Sequence, residues 1–285
     1  IGLSTLLFHV KICCWNKLMK NNYYLALADD VELGNKIIIK RTIAKLFMVA
    51  TILLISGLCV VRLNIGNKQI YKLMLIALLT IYTYTAKHFI LTTKTFNQKL
   101  RLKGTSGRIM FAYLILLIFL ISIELMNMFP LFKLQFSKIL FAALSALISA
   151  VFEEFIFRGI LFNAFLLFFC EEKYDILCTS IVCSILFSLI HMNNLTSQSF
   201  ISTVGQMIFT LAFGLILSCL RLWSNRLAWC IALHFLQDFS PKIISTNYGI
   251  SKIGLVILLY FPIIIFVLIC IWTINKRYLE LRKKS

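Results

Sequence analysis

The side chains best equipped for chemistry in this sequence are ionisable groups placed where hydropathy disfavours them. In Val151-Phe152-Glu153-Glu154-Phe155-Ile156-Phe157-Arg158, two adjacent carboxylates precede a guanidinium inside an apolar run. On a helix, Glu154 and Arg158 stand at i,i+4, share a face and can pair. Glu153 sits about 100° further round and has no such partner. A free, desolvated carboxylate beside a paired one suits the task of taking a proton from water near neutral pH. Glu153 is therefore the expected general base, with Glu154 and Arg158 as its support.

Two histidines extend the pattern. The run Phe187-Ser188-Leu189-Ile190-His191 ends the next apolar segment. Counted from a turn near Lys173, Glu153 lies 20 residues one way and His191 18 the other, so an antiparallel hairpin brings them to similar depth. Further on, His234-Phe235-Leu236-Gln237-Asp238 sets a carboxylate at i+4 from an imidazole. Such a neighbour can fix the tautomer, whether the ring binds metal, donates to an oxyanion or carries a proton. Depth counts against this third group. From a turn near Trp223, His234 is only 11 residues in, and levelling it with His191 needs about 10 Å of tilt, shift or unwinding at 1.5 Å per residue.

The elements that must position these groups are membrane helices. The chain of 285 residues is 60% hydrophobic and only 14% charged, against about 45–50% and about 25% in soluble domains. Apolar runs fall at about 43–61, 70–86, 109–129, 139–169, 176–191, 201–220, 227–240 and 253–274, each a candidate crossing. The expectation is an all-α, polytopic protein of about eight transmembrane helices, with no room for a sizeable soluble domain. The run over 139–169 is either one long tilted helix or two helices meeting near Phe152. Four charged groups at mid-membrane (Glu153, Glu154, Arg158, Asp238) cost roughly 10 kcal/mol before pairing. Within Glu153, Glu154 and Arg158, mutual neutralisation leaves one carboxylate over.

Lys and Arg number 29 against 11 Asp and Glu, for a net charge of +18. They lie between apolar runs and not along one face, which points to topology and anionic-lipid contact and away from nucleic acid. With the N-terminal region inside, 21 basic residues fall inside and seven outside, Arg158 lying within a span, provided 139–169 crosses once. Both termini are then cytoplasmic. The charge bias orients the ends but not the mouth of any cavity between them. The polar stretch Lys94 to Arg108 separates residues 1–108, with a front helix pair, from a rear unit over 109–285. Lys276 to Lys284 reads as a basic anchor on anionic lipid. Six of the nine cysteines (Cys59, Cys178, Cys183, Cys219, Cys230, Cys270) lie in apolar runs as small hydrophobes, and no metal-type CxxC occurs.

Taken in order, EExxxR (Glu153, Glu154, Arg158), FxxxH (Phe187, His191) and HxxxD (His234, Asp238) resemble the CPBP family. These are the CAAX protease and bacteriocin-processing intramembrane peptidases, also called Abi, and the resemblance covers about residues 139–240. It implies a helical membrane fold around a polar cavity, an endopeptidase activity, and a peptide or membrane-protein substrate. It also implies that Glu153 and His191 handle water and proton while His234 and Asp238 serve the oxyanion. Bacterial relatives are linked with bacteriocin self-immunity and peptide maturation. The Ile-, Lys-, Asn- and Phe-rich composition hints at a low-GC bacterium, hence a bacterial cell membrane and an exported or membrane-bound peptide. The chain departs from the form of the third motif that has Asn. An ionised Asp238 cannot donate to an oxyanion, so it must be protonated, orient His234, or help hold a metal.

Zinc is the candidate cofactor, with Glu153, His191 and His234 as ligands and an open position for water. No HExxH is present, so a glutamate mechanism without metal is favoured. Two other classes compete. An idle immunity or scaffold protein would tolerate Glu153→Ala altogether. An ion- or proton-coupled transporter usually shows repeated halves and Gly- or Pro-broken helices, whereas this chain has no visible repeat and only Pro130, Pro241 and Pro262.

Overall fold

The computed structural model describes residues 36–62, 90, 92–97, 99–169, 173–239 and 250–283. Within them the architecture is helical: α1 (Lys36–Arg62), α2 (Thr105–Asn127), α3 (Phe136–Glu154), a π-helical segment (Phe155–Leu161), α4 (Phe162–Phe168), α5 (Asp175–Leu189), α6 (Phe200–Ser224), α7 (Leu227–Phe239) and α8 (Ile250–Lys283). Single 3-10 turns follow α2 at Phe129–Lys133 and α5 at Ile190–Thr196. Every backbone polar group inside lipid must be satisfied within the chain, and helices do this without outside help.

Five helical paths among the described residues are long and apolar enough to cross a membrane: Thr105–Asn127, Phe136–Phe168, Asp175–Thr196, Phe200–Ser224 and Ile253–Arg282. They cover the expected runs at 109–129, 139–169, 176–191, 201–220 and 253–274. The run at 43–61 falls within α1, and that at 70–86 lies outside the described residues. The run at 227–240 forms a helix of 13 residues, about 20 Å at 1.5 Å per residue, too short for a hydrocarbon core about 30 Å thick. The long run over 139–169 makes one helical path whose pitch changes at Phe155, three residues beyond Phe152.

Local sequence explains the ends. Gly104 precedes α2 at φ 61, ψ −133, a conformation open to a residue without Cβ. Ser199 caps α6, its side chain accepting from Ser202 N at 3.2 Å. Asn225 ends α6 in the left-handed conformation, φ 58, which Asn tolerates better than most residues.

Packing is uneven along the helix axes. The buried residues of α2 are Met110, Tyr113 and Leu117, with none in its last ten residues. From Ile156 to Leu167 nearly every residue of the π segment and α4 is buried, as are 212–222 of α6 and Leu227, Cys230, Leu233 and His234 of α7. In α8 burial is confined to the stretch from Val267 on. The opposite halves expose Phe119, Met126, Phe136, Leu140, Phe200 and Leu258, which costs little against lipid. The bundle is thus tight at the end that holds Leu100, Leu167 and the α6–α7 turn, and splayed at the end that holds Phe136, Ser197 and Phe239.

Candidate active site

The site forms where the tight half meets the splayed half. Glu154 is the last residue of α3, and the next seven residues adopt π geometry, with wider turns than an α-helix. Gly159 sits in this segment. A Cβ there would stand 3.0 Å from the Ile90 side chain, so glycine lets the 90–97 segment close on the π turns.

Glu154 is fully buried and its Oε1 gathers two donors. Arg158 Nη1 donates at 2.8 Å, and His234 Nδ1 donates at 2.8 Å across from α7. Because a carboxylate only accepts, this bond sets the proton on Nδ1. The other ring nitrogen, Nε2, faces two further carboxylates: Glu153 Oε2 at 3.8 Å and Asp238 Oδ2 at 3.5 Å. Those side chains are partly exposed, 25% and 27%, where Glu154 is at 0%. One imidazole therefore stands among three carboxylates, one sealed in the protein and two partly exposed. Glu153 also accepts from Ser149 Oγ at 3.0 Å, one turn back on α3.

Phe187 is the hub behind these groups. Its ring lies edge-on to His191 at 5.2 Å and to His234 at 5.8 Å, and the Arg158 guanidinium stacks over it at 4.2 Å. His191 stands on the far side of that ring, its Nδ1 2.9 Å from Phe187 O. Donation to that carbonyl leaves Nε2 as the ring's acceptor. Behind Arg158, Gly214 of α6 leaves room for the guanidinium, because a Cβ there would sit 3.1 Å from Arg158 Nη2 and from Ser184 Cβ.

Glu153, Glu154, Arg158, His234 and Asp238 are thus joined by direct contacts, and His191 is linked to them through Phe187. Two expectations change. The depth offset counted against His234 is absorbed because the α6–α7 turn is recessed. Arg221 Nη2 donates to Asn163 Oδ1 at 2.6 Å, one turn before Asn225 and five residues short of the end of α4. The carboxylate bonded to His234 is Glu154, not Asp238, because Nδ1 points across to α3 while Asp238, on the same helix, lies beside Nε2.

Arg221, read from sequence as a loop charge, is fully buried, stacked 4.6 Å over Phe162 and bonded to Asn163. Arg282, read as part of a lipid anchor, lies 3.6 Å from Asp175. Ser149, Asn163 and Arg221 were missed. Ser149 was visible as a hydroxyl at i−4 from Glu153, and Asn163 as an amide inside an apolar run. Arg221 carried no signal, since it stands at the edge of its run.

Among the described residues no group of three His, Cys, Asp or Glu is placed to hold a metal ion. Glu153 and His234 come together, while His191 gives its Nδ1 to the Phe187 carbonyl and keeps Nε2 as an acceptor. What the site holds is a partly exposed acceptor (Glu153), a ring donor-acceptor beside it (His234), and a buried ion pair next to both.

No curated protein and no solved structure matches the chain. A family model does: the type II CAAX prenyl endopeptidase Rce1-like family matches residues 135–240, from the start of α3 to the end of α7. That stretch contains all seven motif residues, and with the apolar helices around it marks an integral membrane protein that over residues 135–240 is similar to the Rce1-like CAAX protease family.

Proposed function

We propose that the protein is an intramembrane endopeptidase in which Glu153 activates the attacking water. The observation that carries this reading is the asymmetry of the glutamate pair. Glu154 is held by Arg158 and His234 at 2.8 Å each, whereas Glu153 is partly exposed, its Oε2 3.8 Å from His234 Nε2. That gap is too long for a direct hydrogen bond and leaves the oxygen available to a water. Glu153 takes the water's proton, and the hydroxide oxygen bonds to the scissile carbonyl carbon. His191, with Nε2 as acceptor, aligns the water. The carbonyl oxygen becomes an oxyanion and is received by Nε2–H of a protonated His234, whose charge the surrounding carboxylates balance. Collapse breaks the C–N bond, and Glu153 returns its proton to the leaving amine.

The substrate is a membrane-associated or exported peptide, in bacteriocin self-immunity or peptide maturation, and the protein lies in a bacterial cell membrane with both termini cytoplasmic. Asp238 orients His234 and balances its charge in this scheme, which removes the conflict between an ionised Asp and a donor's role. The test compares wild type with Glu153→Ala in matched cells, following small membrane-associated peptides by mass spectrometry. Loss of a processed form while the variant still accumulates in the membrane is the expected result. Unchanged peptides with a surviving resistance phenotype would replace the peptidase with a non-catalytic membrane partner.

A further inference from the structure

We infer that Ser149 is the positioning residue of the general base: its hydroxyl holds one oxygen of the Glu153 carboxylate and so makes the other, Oε2, the atom that takes the proton from water. The inference rests on the peptidase reading and deepens it. Two observations carry it, the direction in which this hydroxyl donates and the unequal surroundings of the two carboxylate oxygens.

A hydroxyl inside a helix has a ready acceptor in the carbonyl one turn back. Among the described residues seven helical hydroxyls use it, Ser122 to Ile118 O at 2.8 Å and Ser184 to Ser180 O at 2.7 Å among them. Ser149 donates the other way, one turn forward to Glu153 Oε1 at 3.0 Å. An ionised acceptor makes the stronger bond, which is what turns the hydroxyl from the backbone to the carboxylate. Both residues lie on α3, so the bond needs no other element to form.

The carboxylate is unequal as a result. Oε1 is engaged by Ser149, whereas Oε2 stands 3.8 Å from His234 Nε2, beyond direct bonding. The last torsion of a glutamate is broad and two-fold, so an unanchored carboxylate turns easily and presents either oxygen. With Oε1 held, Oε2 is the one presented beside His234. In the hydrolytic step an O–H bond of water breaks, its proton joins Oε2, and the hydroxide oxygen bonds to the scissile carbonyl carbon. Oε2 later returns that proton to the leaving nitrogen. Ser149 keeps its own proton on Oγ throughout and touches neither water nor peptide in this scheme. Glu154 and Glu153 are thus fixed by different means, the first by two charged or ring donors on one oxygen and the second by a single hydroxyl on its own helix.

The test uses the full-length protein in detergent as wild type, Ser149→Ala, Ser149→Thr and Glu153→Gln, with Ser122→Ala as a control that loses only a backward bond. The first readout is infrared absorption. The carboxylate stretching band that Glu153→Gln removes should shift in Ser149→Ala and stay in place in Ser149→Thr, whose hydroxyl can make the same bond. The second is turnover of the membrane peptide whose processed form is lost with Glu153→Ala. Ser149→Ala should lower kcat by about tenfold to about a hundredfold with KM within about twofold, as misorientation of a reacting group does. Ser149→Thr should recover most of that loss, and Ser122→Ala should match wild type. An unmoved band or an unchanged kcat in Ser149→Ala would overturn the assignment, and so would a Ser149→Thr variant as slow as Ser149→Ala. The infrared readout needs no substrate, so the two ideas fail separately. A band that moves as expected, together with peptides unchanged by Glu153→Ala, would defeat the peptidase reading and Ser149's part in proton transfer with it, leaving only the bond.

Discussion

Replacing Glu154 by Gln keeps its shape and removes its charge, which isolates what the buried carboxylate does. Glu154 Oε1 is 2.8 Å from both Arg158 Nη1 and His234 Nδ1, with side-chain exposures of 0%, 0% and 4%. At an effective dielectric near 20, one unit-charge pair at that distance is worth about 6 kcal/mol before desolvation is counted. Measured losses on breaking a buried pair by removing one partner run about 3–5 kcal/mol, because the surviving ion is left uncompensated. Glu154→Gln should therefore destabilise the protein by about 3–5 kcal/mol, and Arg158→Met by about the same. Additivity would put the double variant at about 6–10 kcal/mol. If the carboxylate's main task in folding is to neutralise Arg158, the double variant loses no more than either single one, because a neutral pair of similar volume replaces an ion pair. Cleavage stays abolished in all three, since His234 loses its ionic partner whenever Glu154 is changed, and Glu154 loses its anchor when Arg158 is. The assay is unfolding in detergent followed by thermal denaturation and by urea, with peptide cleavage measured in parallel. An additive double variant would refute the pairing argument. A stable, fully active Glu154→Gln would refute the role given to Glu154 altogether.

Gly214→Ala places a methyl 3.1 Å from Arg158 Nη2; it should cost about 1–3 kcal/mol as overpacking and lower turnover more than substrate affinity, read as kcat against KM. Asn225→Ala loses three bonds to Thr95 and Phe96 and a favoured left-handed residue, for about 3–4 kcal/mol, whereas Asn225→Gly keeps the backbone and should cost less; equal losses in unfolding experiments would count against this reasoning. Asp238→Asn should retain part of the cleavage, since its amide oxygen can still accept from His234 Nε2–H although the charge balance is lost, while Asp238→Ala falls by about tenfold or more in kcat. Treatment with EDTA or 1,10-phenanthroline should leave turnover of the purified protein unchanged, and loss of activity restored by added zinc would reverse that.

What could be read from the sequence follows from which forces act locally. Lipid admits only long apolar helices here, so hydropathy alone locates the runs that become α2, α3 through α4, α5, α6 and α8. The Glu154–Arg158 pair is legible for the same reason, being a contact between residues one turn apart. The π segment is not, because the spacing of Phe155 to Leu161 is satisfied by either helical pitch, and what selects the wider turn is packing against α1 and Ile90, far away in sequence. Depth counting failed for His234 because it assumed that all turns end at one plane. The α6–α7 turn is drawn inward, where Arg221 meets Asn163 and Asn225 meets Thr95 and Phe96, and these are contacts of 58 and about 130 residues' separation.

Arg221 shows how the same residue type changes meaning with that geometry. At the edge of an apolar run it reads as one more cytoplasmic charge, but once the turn is recessed it stands inside the bundle. Asn163 Oδ1 and the Phe162 ring are what accompany it there. A guanidinium is held in such a place by planar stacking and directed hydrogen bonds more than by one counter-charge. Asn163 uses its carbonyl for Arg221 and its amide for Ile90 and Thr92, so one side chain ties α4 to α6 and to the segment before α2. The polar residues of this membrane domain thus divide by height: at the tight end they lock the bundle, and one to two turns higher they are left open to react.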